Sequence, residues 1–207
     1  MSWQKWWRRA RGGAFCLALG AALSGTGCAT YQGTAAGAGQ WLPRKEPGWI
    51  WVSGVPEIRQ PGEKDCGPAA LSAVLTYWQH PATVQEIRSA IGSASNERVE
   101  AGELSTFARR RGFDAYVFKG NIEDVKSELE SGRPVIVGVA KRYGQKALSH
   151  YEVVVGIQPN SQTLFSLDPA DGWIKNSVSG FMTEWDATGH VMIVLSPAPR
   201  ASEVSGS

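Results

Sequence analysis

The sequence has few cysteines and few histidines, and this scarcity excludes several kinds of protein. Three cysteines and three histidines are spread over 207 residues. They are too few and too scattered for a structural zinc site or a framework of disulfides. We therefore expect no metal, no cofactor and no stabilising cross-links.

The first 27 residues have the pattern of a secretory signal peptide. The basic residues that open it are Lys5, Arg8, Arg9 and Arg11. The uncharged apolar run Ala14–Ser24 follows, and it is too short to span a bilayer as a stable helix. Residues 1–27 are therefore predicted to be a leader that is removed from the mature protein.

The predicted leader ends at Gly27, directly before Cys28. A small residue followed by cysteine resembles a bacterial lipobox, whose cysteine is lipidated and becomes the mature N-terminus. Cys28 is therefore the predicted lipidation site; the alternative is plain cleavage that leaves Cys28 as an odd thiol. Because Ala29 is not aspartate, the lipoprotein sorting rule implies the outer membrane. The predicted location is the envelope of a bacterium, facing the periplasm.

The net charge changes sign when the leader is set aside. The whole chain has 21 basic and 19 acidic residues, a net charge of +2. The leader holds four basic residues and no acidic ones, so the rest carries 17 − 19 = −2. This balance gives no reason to expect nucleic-acid binding.

Composition divides the predicted mature chain into three parts. Residues 28–47 are rich in Gly, Ala, Gln and Pro and are predicted to be a flexible tether. Residues 48–198 are predicted to be one folded domain, and the polar residues 199–207 a disordered tail. The sequence does not fix the oligomeric state, and a monomer is expected.

The apolar pattern changes from helical to extended half-way along the domain. Helices are predicted over residues 66–78, 83–91, 104–111 and 121–130. Strands are predicted over residues 114–118, 134–140, 150–157, 163–167 and 190–195. A short extended piece near residues 171–178 and a helical turn at 180–186 complete the set. Helices first and an antiparallel sheet afterwards predict an α+β fold.

Cys66 is the cysteine that remains in the predicted domain, at the first turn of a predicted buried helix. A thiol is a weak nucleophile until it loses its proton, and a helix N-terminus favours the thiolate. A lone cysteine in an exported protein is either buried and inert or kept for its reactivity.

A cysteine nucleophile needs a base, usually histidine, and a third group that orients the base. His150 opens an apolar strand after a polar stretch that we interpret as a loop. If strands 150–157 and 163–167 form an antiparallel hairpin, Asp168 lies alongside His150. His150 and Asp168 are therefore the predicted base and orienting carboxylate.

The two other histidines fit this role less well. His80 lies at the end of the Cys66 helix, about 20 Å along its axis. His190 also opens a strand, but the acidic residue after it, Glu203, lies in the predicted tail. Asp186 is nearer but precedes it in a segment with turn character.

Gln60 is the candidate for the fourth part of the site. The tetrahedral intermediate of acyl transfer carries a developing oxyanion. A short loop with Pro61 and Gly62 could fold the Gln60 amide back over the helix start. There it would donate to the oxyanion together with the backbone N–H of Cys66.

Three motifs, Q-P-G-E-K-D-C-G-P-A-A-L, S-H-Y-E-V-V-V-G and S-L-D-P-A-D-G, resemble the double-glycine leader peptidases. These are papain-like cysteine proteases, found as N-terminal domains of bacteriocin-exporting ABC transporters and as stand-alone exported relatives. The match spans about Val55–Ser196. It implies a papain-like fold, with a helical half packed on an antiparallel sheet. It also implies a triad of Cys66, His150 and Asp168, with Gln60 lining the oxyanion hole.

The expected function is that of an exported, lipid-anchored cysteine peptidase that hydrolyses peptide bonds. Its expected partners are a peptide or protein substrate and, through the anchor, a membrane. The transporter domains precede membrane spans and an ATPase, which this sequence lacks, so ATP binding is not expected. Two alternatives remain: an acyltransferase on the same scaffold, or a non-catalytic peptide-binding lipoprotein.

Overall fold

A computed structural model describes residues 30–38, 47–91, 98–143, 146–160 and 162–199. The predicted leader, Cys28 and residues 200–207 of the predicted tail lie outside these ranges. Within them, no helix is both long and apolar enough to cross a membrane.

The helices have the bounds α1 Cys66–Tyr77, α2 Val84–Ile91, α3 Ala101–Arg110, α4 Ile122–Glu130 and α5 Val178–Asp186. The strands are β1 Thr30–Tyr31, β2 Ala36–Gly37, β3 Ile50–Trp51, β4 Phe113–Lys119, β5 Val135–Tyr143, β6 Lys146–Gln158, β7 Thr163–Asp168, β8 Gly172–Ser177 and β9 Val191–Pro197. The predicted α+β class is confirmed.

Local capping explains where two of the helices begin. The backbone N–H of Thr83 donates to the Glu86 carboxylate at 2.7 Å, and the N–H of Glu86 donates to the Thr83 hydroxyl at 3.1 Å. This is the reciprocal capping pattern that predicts α2. α3 begins three residues earlier than predicted because Glu100 and Glu103 form a similar reciprocal pair.

α1 is the central helix, and it is buried along most of its length. Every residue from Cys66 to Leu75 is buried, and the side chains of Leu71, Val74 and Leu75 have no exposed surface. A helix that is apolar on nearly all sides belongs inside the core. α1 packs on β6, which places its N-terminus at the interior of the molecule.

The strands form one antiparallel sheet in the order β2-β8-β7-β6-β5-β9-β4, with β1 added to β5 and β3 to β6. The β5–β6 hairpin is longer than predicted. Lys141 pairs with Leu148 inside the hairpin, although the polar residues before His150 predict a loop. The Lys141 side chain is buried against the carboxylates of Asp168 and Asp171, so a polar residue extends the strand.

The prediction of a flexible tether over residues 28–47 is wrong for residues 30–38. β1 pairs with β5 and β2 pairs with β8. A Cβ at Gly33 would lie 2.2 Å from the carbonyl oxygen of Gly180, so glycine permits close packing at this point. A composition rich in small residues reflects contact with the sheet here, and not chain flexibility.

Candidate active site

Cys66 is the first residue of α1, and the loop before it is tied down on both sides. The Asp65 carboxylate pairs with Arg88 of α2 at 2.9 Å, and the Asp65 N–H donates to the carbonyl of Gly62 at 3.1 Å. A Cβ at Gly67 would lie 3.1 Å from the ring of Tyr151. Glycine after Cys66 therefore lets the helix start approach the strand that carries His150.

His150 lies within β6, and Asp168 is the last residue of β7. Nε2 of His150 is 3.0 Å from Oδ1 of Asp168, and both side chains are buried. The register that pairs Val153 with Leu167 places Asp168 opposite Glu152, diagonal to His150. Diagonal neighbours of this kind are within reach of each other's side chains.

The thiol of Cys66 is 2% exposed and lies close enough to the imidazole of His150 to interact with it. Burial raises the pKa of the Cys66 thiol. The hydrogen bond and charge of His150, the N–H of Tyr151 and the charge of Arg98 outweigh burial, so the pKa lies below its usual value. Because Nε2 of His150 lies beside Asp168, Nδ1 is the ring nitrogen left for the thiol.

The pKa of the His150 imidazole shifts in the opposite direction, upwards. Burial lowers the pKa of His150, but hydrogen bonding and charge interactions with Asp168 and Cys66 raise it to about 9. A thiol with a lowered pKa beside an imidazole with a raised pKa favours the thiolate–imidazolium pair at neutral pH. This pair is a nucleophile and an acid in hydrogen-bonding contact.

Asp168 is 1% exposed, and both of its oxygens are occupied. Oδ1 accepts from the backbone N–H groups of Ala170 at 2.6 Å and Asp171 at 3.0 Å. Oδ2 accepts from Lys141 Nζ and from the hydroxyl of Tyr31. Burial raises the pKa of Asp168, but His150 and Lys141 bring it well below its usual value, so the carboxylate is ionised at neutral pH.

Gln60 lies on the loop that precedes α1, next to the turn that follows Asp168. Its backbone N–H donates to the carbonyl of Pro169 at 2.9 Å, and its side-chain Nε2 donates to the carbonyl of Gly62 at 2.9 Å. Its Oε1 is buried and, among the described residues, has no hydrogen-bond partner. The side-chain amide is thus held on the loop that precedes Cys66.

The other two histidines lie elsewhere. His80 is exposed after the end of α1, and its ring meets the edge of Phe113 with centroids 5.3 Å apart. His190 is partly exposed, stacks on Trp185 and hydrogen-bonds Asp186. Within the described ranges, the free cysteine is Cys66, which contacts His150 and not this second pair.

Several polar residues around the site are not predicted by the sequence. Lys141 falls in the stretch predicted to be a loop, and Tyr31 in the stretch predicted to be a tether. Arg98 donates to the carbonyl of Ser149 at 3.0 Å. Glu152 is buried beside Asp168, and it had a visible signal, since it is an acidic residue in an apolar strand.

A cavity of about 380 Å³ flanks the strand that carries His150. Leu148, Ser149 and Tyr151 line one side of it, and the small residues Gly138 and Ala140 line part of the rest. An open, partly apolar cavity that is lined by the residues on either side of His150 has room for residues of an extended peptide.

Comparison with known proteins identifies the family. The sequence model of the Peptidase C39 family matches residues 55–200. The lactococcin-G-processing and transport ATP-binding protein LagD of Lactococcus lactis subsp. lactis is 31% identical over 144 residues. These residues make up 70% of this chain and 19% of that protein, so the match spans about a fifth of the curated relative.

Solved structures of peptidase domains have the same fold as this chain. The peptidase domain of Streptococcus ComA, a bi-functional ABC transporter involved in a quorum-sensing pathway, has 25% identity and a TM-score of 0.59. The match covers 70% of this chain and 99% of that domain. A double-glycine-motif protease from an AMS/PCAT transporter, in complex with the leader peptide, shares the fold at 21% identity and a TM-score of 0.58. It covers 72% of this chain and 95% of that one. The chain thus belongs to the Peptidase C39 family of cysteine peptidases.

Proposed function

We propose that this chain hydrolyses peptide bonds with Cys66 as the nucleophile, His150 as the general base and Asp168 as the residue that orients His150. The observation that carries the proposal is the buried chain of contacts from thiol to imidazole to carboxylate. Nucleophile, base and orienting group in this order are what covalent acyl transfer requires.

The reaction proceeds in two steps. The Cys66 thiolate attacks the peptide carbonyl, and the backbone N–H of Cys66 and the Gln60 amide stabilise the oxyanion. The C–N bond breaks as His150 gives its proton to the leaving amine. His150 then takes a proton from water, which attacks the thioester, and the acid product leaves as the thiol pair is restored.

The proposed substrate is an exported peptide or protein that binds in extended form. Three observations support this substrate class: the cavity lined by Ser149 and Tyr151, the relative that is named as lactococcin-G-processing, and the leader peptide bound to the structural neighbour. Gly138 and Ala140, which pair with Tyr151 and Ser149 on either side of His150, are small and leave space in this cavity for a peptide backbone.

Export and lipid attachment at Cys28 are part of the same proposal and rest on the sequence of residues 1–28. The sheet begins at Thr30, which pairs with Arg142. An acylated Cys28 would therefore hold the domain close to the bilayer, on the proposed periplasmic face of the outer membrane. Mass spectrometry of the N-terminal peptide from membrane fractions, compared with Cys28→Ala, tests this part.

The test of the reaction uses the full chain and a mixture of synthetic peptides followed by mass spectrometry. We expect Cys66→Ala and His150→Ala to stop cleavage while the proteins remain folded. His190→Ala is the matched control, because it removes a histidine that also pairs with an aspartate, and it should cleave at the parent rate. Cleavage by Cys66→Ala at the parent rate would refute the assignment. Products joined to an added primary amine would identify acyl transfer in place of hydrolysis.

A further inference from the structure

The segment 31–38 is docked on the sheet beside the proposed catalytic residues. The backbone N–H of Gly33 donates to Glu184 at 2.7 Å, and the hydroxyl of Thr34 donates to Asn176 at 2.7 Å. Asn176 in turn donates to Glu184 at 2.9 Å, and both are buried. These contacts hold the segment in one register on the sheet.

That register places Tyr31 directly opposite Lys141. The Tyr31 hydroxyl donates to Oδ2 of Asp168, 137 residues away in sequence. Its ring covers the ammonium group of Lys141, with Nζ 4.2 Å from the ring centroid. Lys141 itself is 2% exposed and pairs with Asp168 and, at 2.7 Å, with Asp171. Tyr31 therefore covers the buried Lys141–Asp168 ion pair and donates a hydrogen bond to the Asp168 carboxylate.

A carboxylate that orients an imidazole must itself be prevented from rotating. Oδ1 of Asp168 faces His150 and is fixed by two backbone N–H groups. Oδ2, on the far side, is fixed by Lys141 and Tyr31. Burial, followed by the charges of Glu152 and Asp168, raises the pKa of Tyr31. The hydroxyl hence stays protonated and acts as a donor.

We propose that Tyr31 is a positioning residue for the peptidase reaction: its hydroxyl holds Oδ2 of Asp168 so that Oδ1 stays aimed at His150. The inference rests on the proposed function for its catalytic consequence. It means that the docked segment 31–38 supplies part of the active-site support, although it lies outside the residues 55–200 that the family model matches.

The test compares Tyr31→Phe with Thr34→Ala in the full chain. Tyr31→Phe keeps the ring over Lys141 and removes only the hydroxyl. Thr34→Ala loosens the same segment without touching Asp168, so it controls for docking of the segment. The readouts are kcat and KM on a cleaved peptide, the rate of Cys66 alkylation by iodoacetamide at pH 6, and the melting temperature.

For Tyr31→Phe we expect kcat and the alkylation rate each to fall about 3–10-fold, the equivalent of one hydrogen bond, with KM unchanged. KM should stay unchanged because Tyr31 does not line the cavity that Ser149 and Tyr151 line. Thr34→Ala should lower the melting temperature and leave both rates at the parent value.

Two results would overturn the inference. One is parent-like kcat and alkylation in Tyr31→Phe; the other is an equal loss of both rates in Thr34→Ala, which would assign the effect to docking alone. The alkylation rate reports the Cys66–His150 pair without any substrate, so it tests Tyr31 even if no peptide is cleaved. Cleavage that survives in Cys66→Ala would instead refute the proposed function.

Discussion

The pH dependence of activity should report the buried Cys66–His150 pair, and replacing Asp168 by asparagine should change it in a defined direction. Raising the pKa of His150 from 6.5 to about 9 corresponds to about 3 kcal/mol in favour of the imidazolium. Activity should therefore rise as the Cys66 thiol ionises and fall when His150 loses its proton near pH 9.

Asp168→Asn removes the first of the interactions that raise the pKa of His150. A close opposite charge raises the pKa of a histidine by about 1–3. The alkaline limb of kcat/KM should consequently move to lower pH by at least about one pH unit. The maximum rate should fall as well, because asparagine does not hold the charged ring.

The assay is kcat/KM from pH 4 to 11 together with the rate of Cys66 alkylation over the same range. Asp186→Asn is the matched control, since it alters the exposed His190 pair and should leave both profiles unchanged. An alkaline limb that stays in place in Asp168→Asn would refute the electrostatic argument. The sign for stability is the same: the charged His150 stabilises the fold below pH about 6.5, and this contribution is lost as the pH rises through about 9.

Three further variants test the surroundings of the site. Lys141→Met leaves the buried carboxylate of Asp168 without its cation and should lower the free energy of unfolding, measured in urea, by about 3–5 kcal/mol. A loss of less than about 1 kcal/mol would contradict the interpretation that Lys141 and Asp168 form a buried ion pair. Gly33→Ala should lower it by about 1–3 kcal/mol because its Cβ would overlap the Gly180 carbonyl, whereas Gly37→Ala, with nothing within 4 Å, is the control and should not. Gln60→Ala should lower kcat about 10²–10³-fold with little change in melting temperature, and a parent-like kcat would exclude an oxyanion role.

The sequence predicted the helices and most strands because local rules decide them. Thr83 and Glu86 cap α2 within four residues of chain, and the apolar spacing along α1 predicts a helix, which the structure buries on nearly all sides. The hairpin of β6 and β7 is also a local structure, so the proximity of Asp168 to His150 could be predicted from strand register. The approach of α1 to β6 came only from the family resemblance.

The extended N-terminal segment could not be predicted in this way. Gly, Ala and Gln in the segment around Gly33 have the composition of a linker, and composition does not report contact with a distant surface. Only the packing of Gly33 against Gly180 shows why small residues are needed there. The same holds for Lys141, whose charge favours a loop, whereas its buried pairing with Asp168 allows it to lie in a strand.

The sequence by itself therefore determined the fold class, the helix that presents Cys66 and the residue types of a cysteine peptidase. Only the tertiary structure decided what surrounds Asp168. Tyr31, Lys141 and Asp168 come from separate parts of the chain. Lys141 and Asp168 are buried because their charges balance, and the hydroxyl of the half-buried Tyr31 completes the hydrogen bonds of Asp168. Such mutual satisfaction is a property of side chains brought together by folding, so no single stretch of sequence can express it.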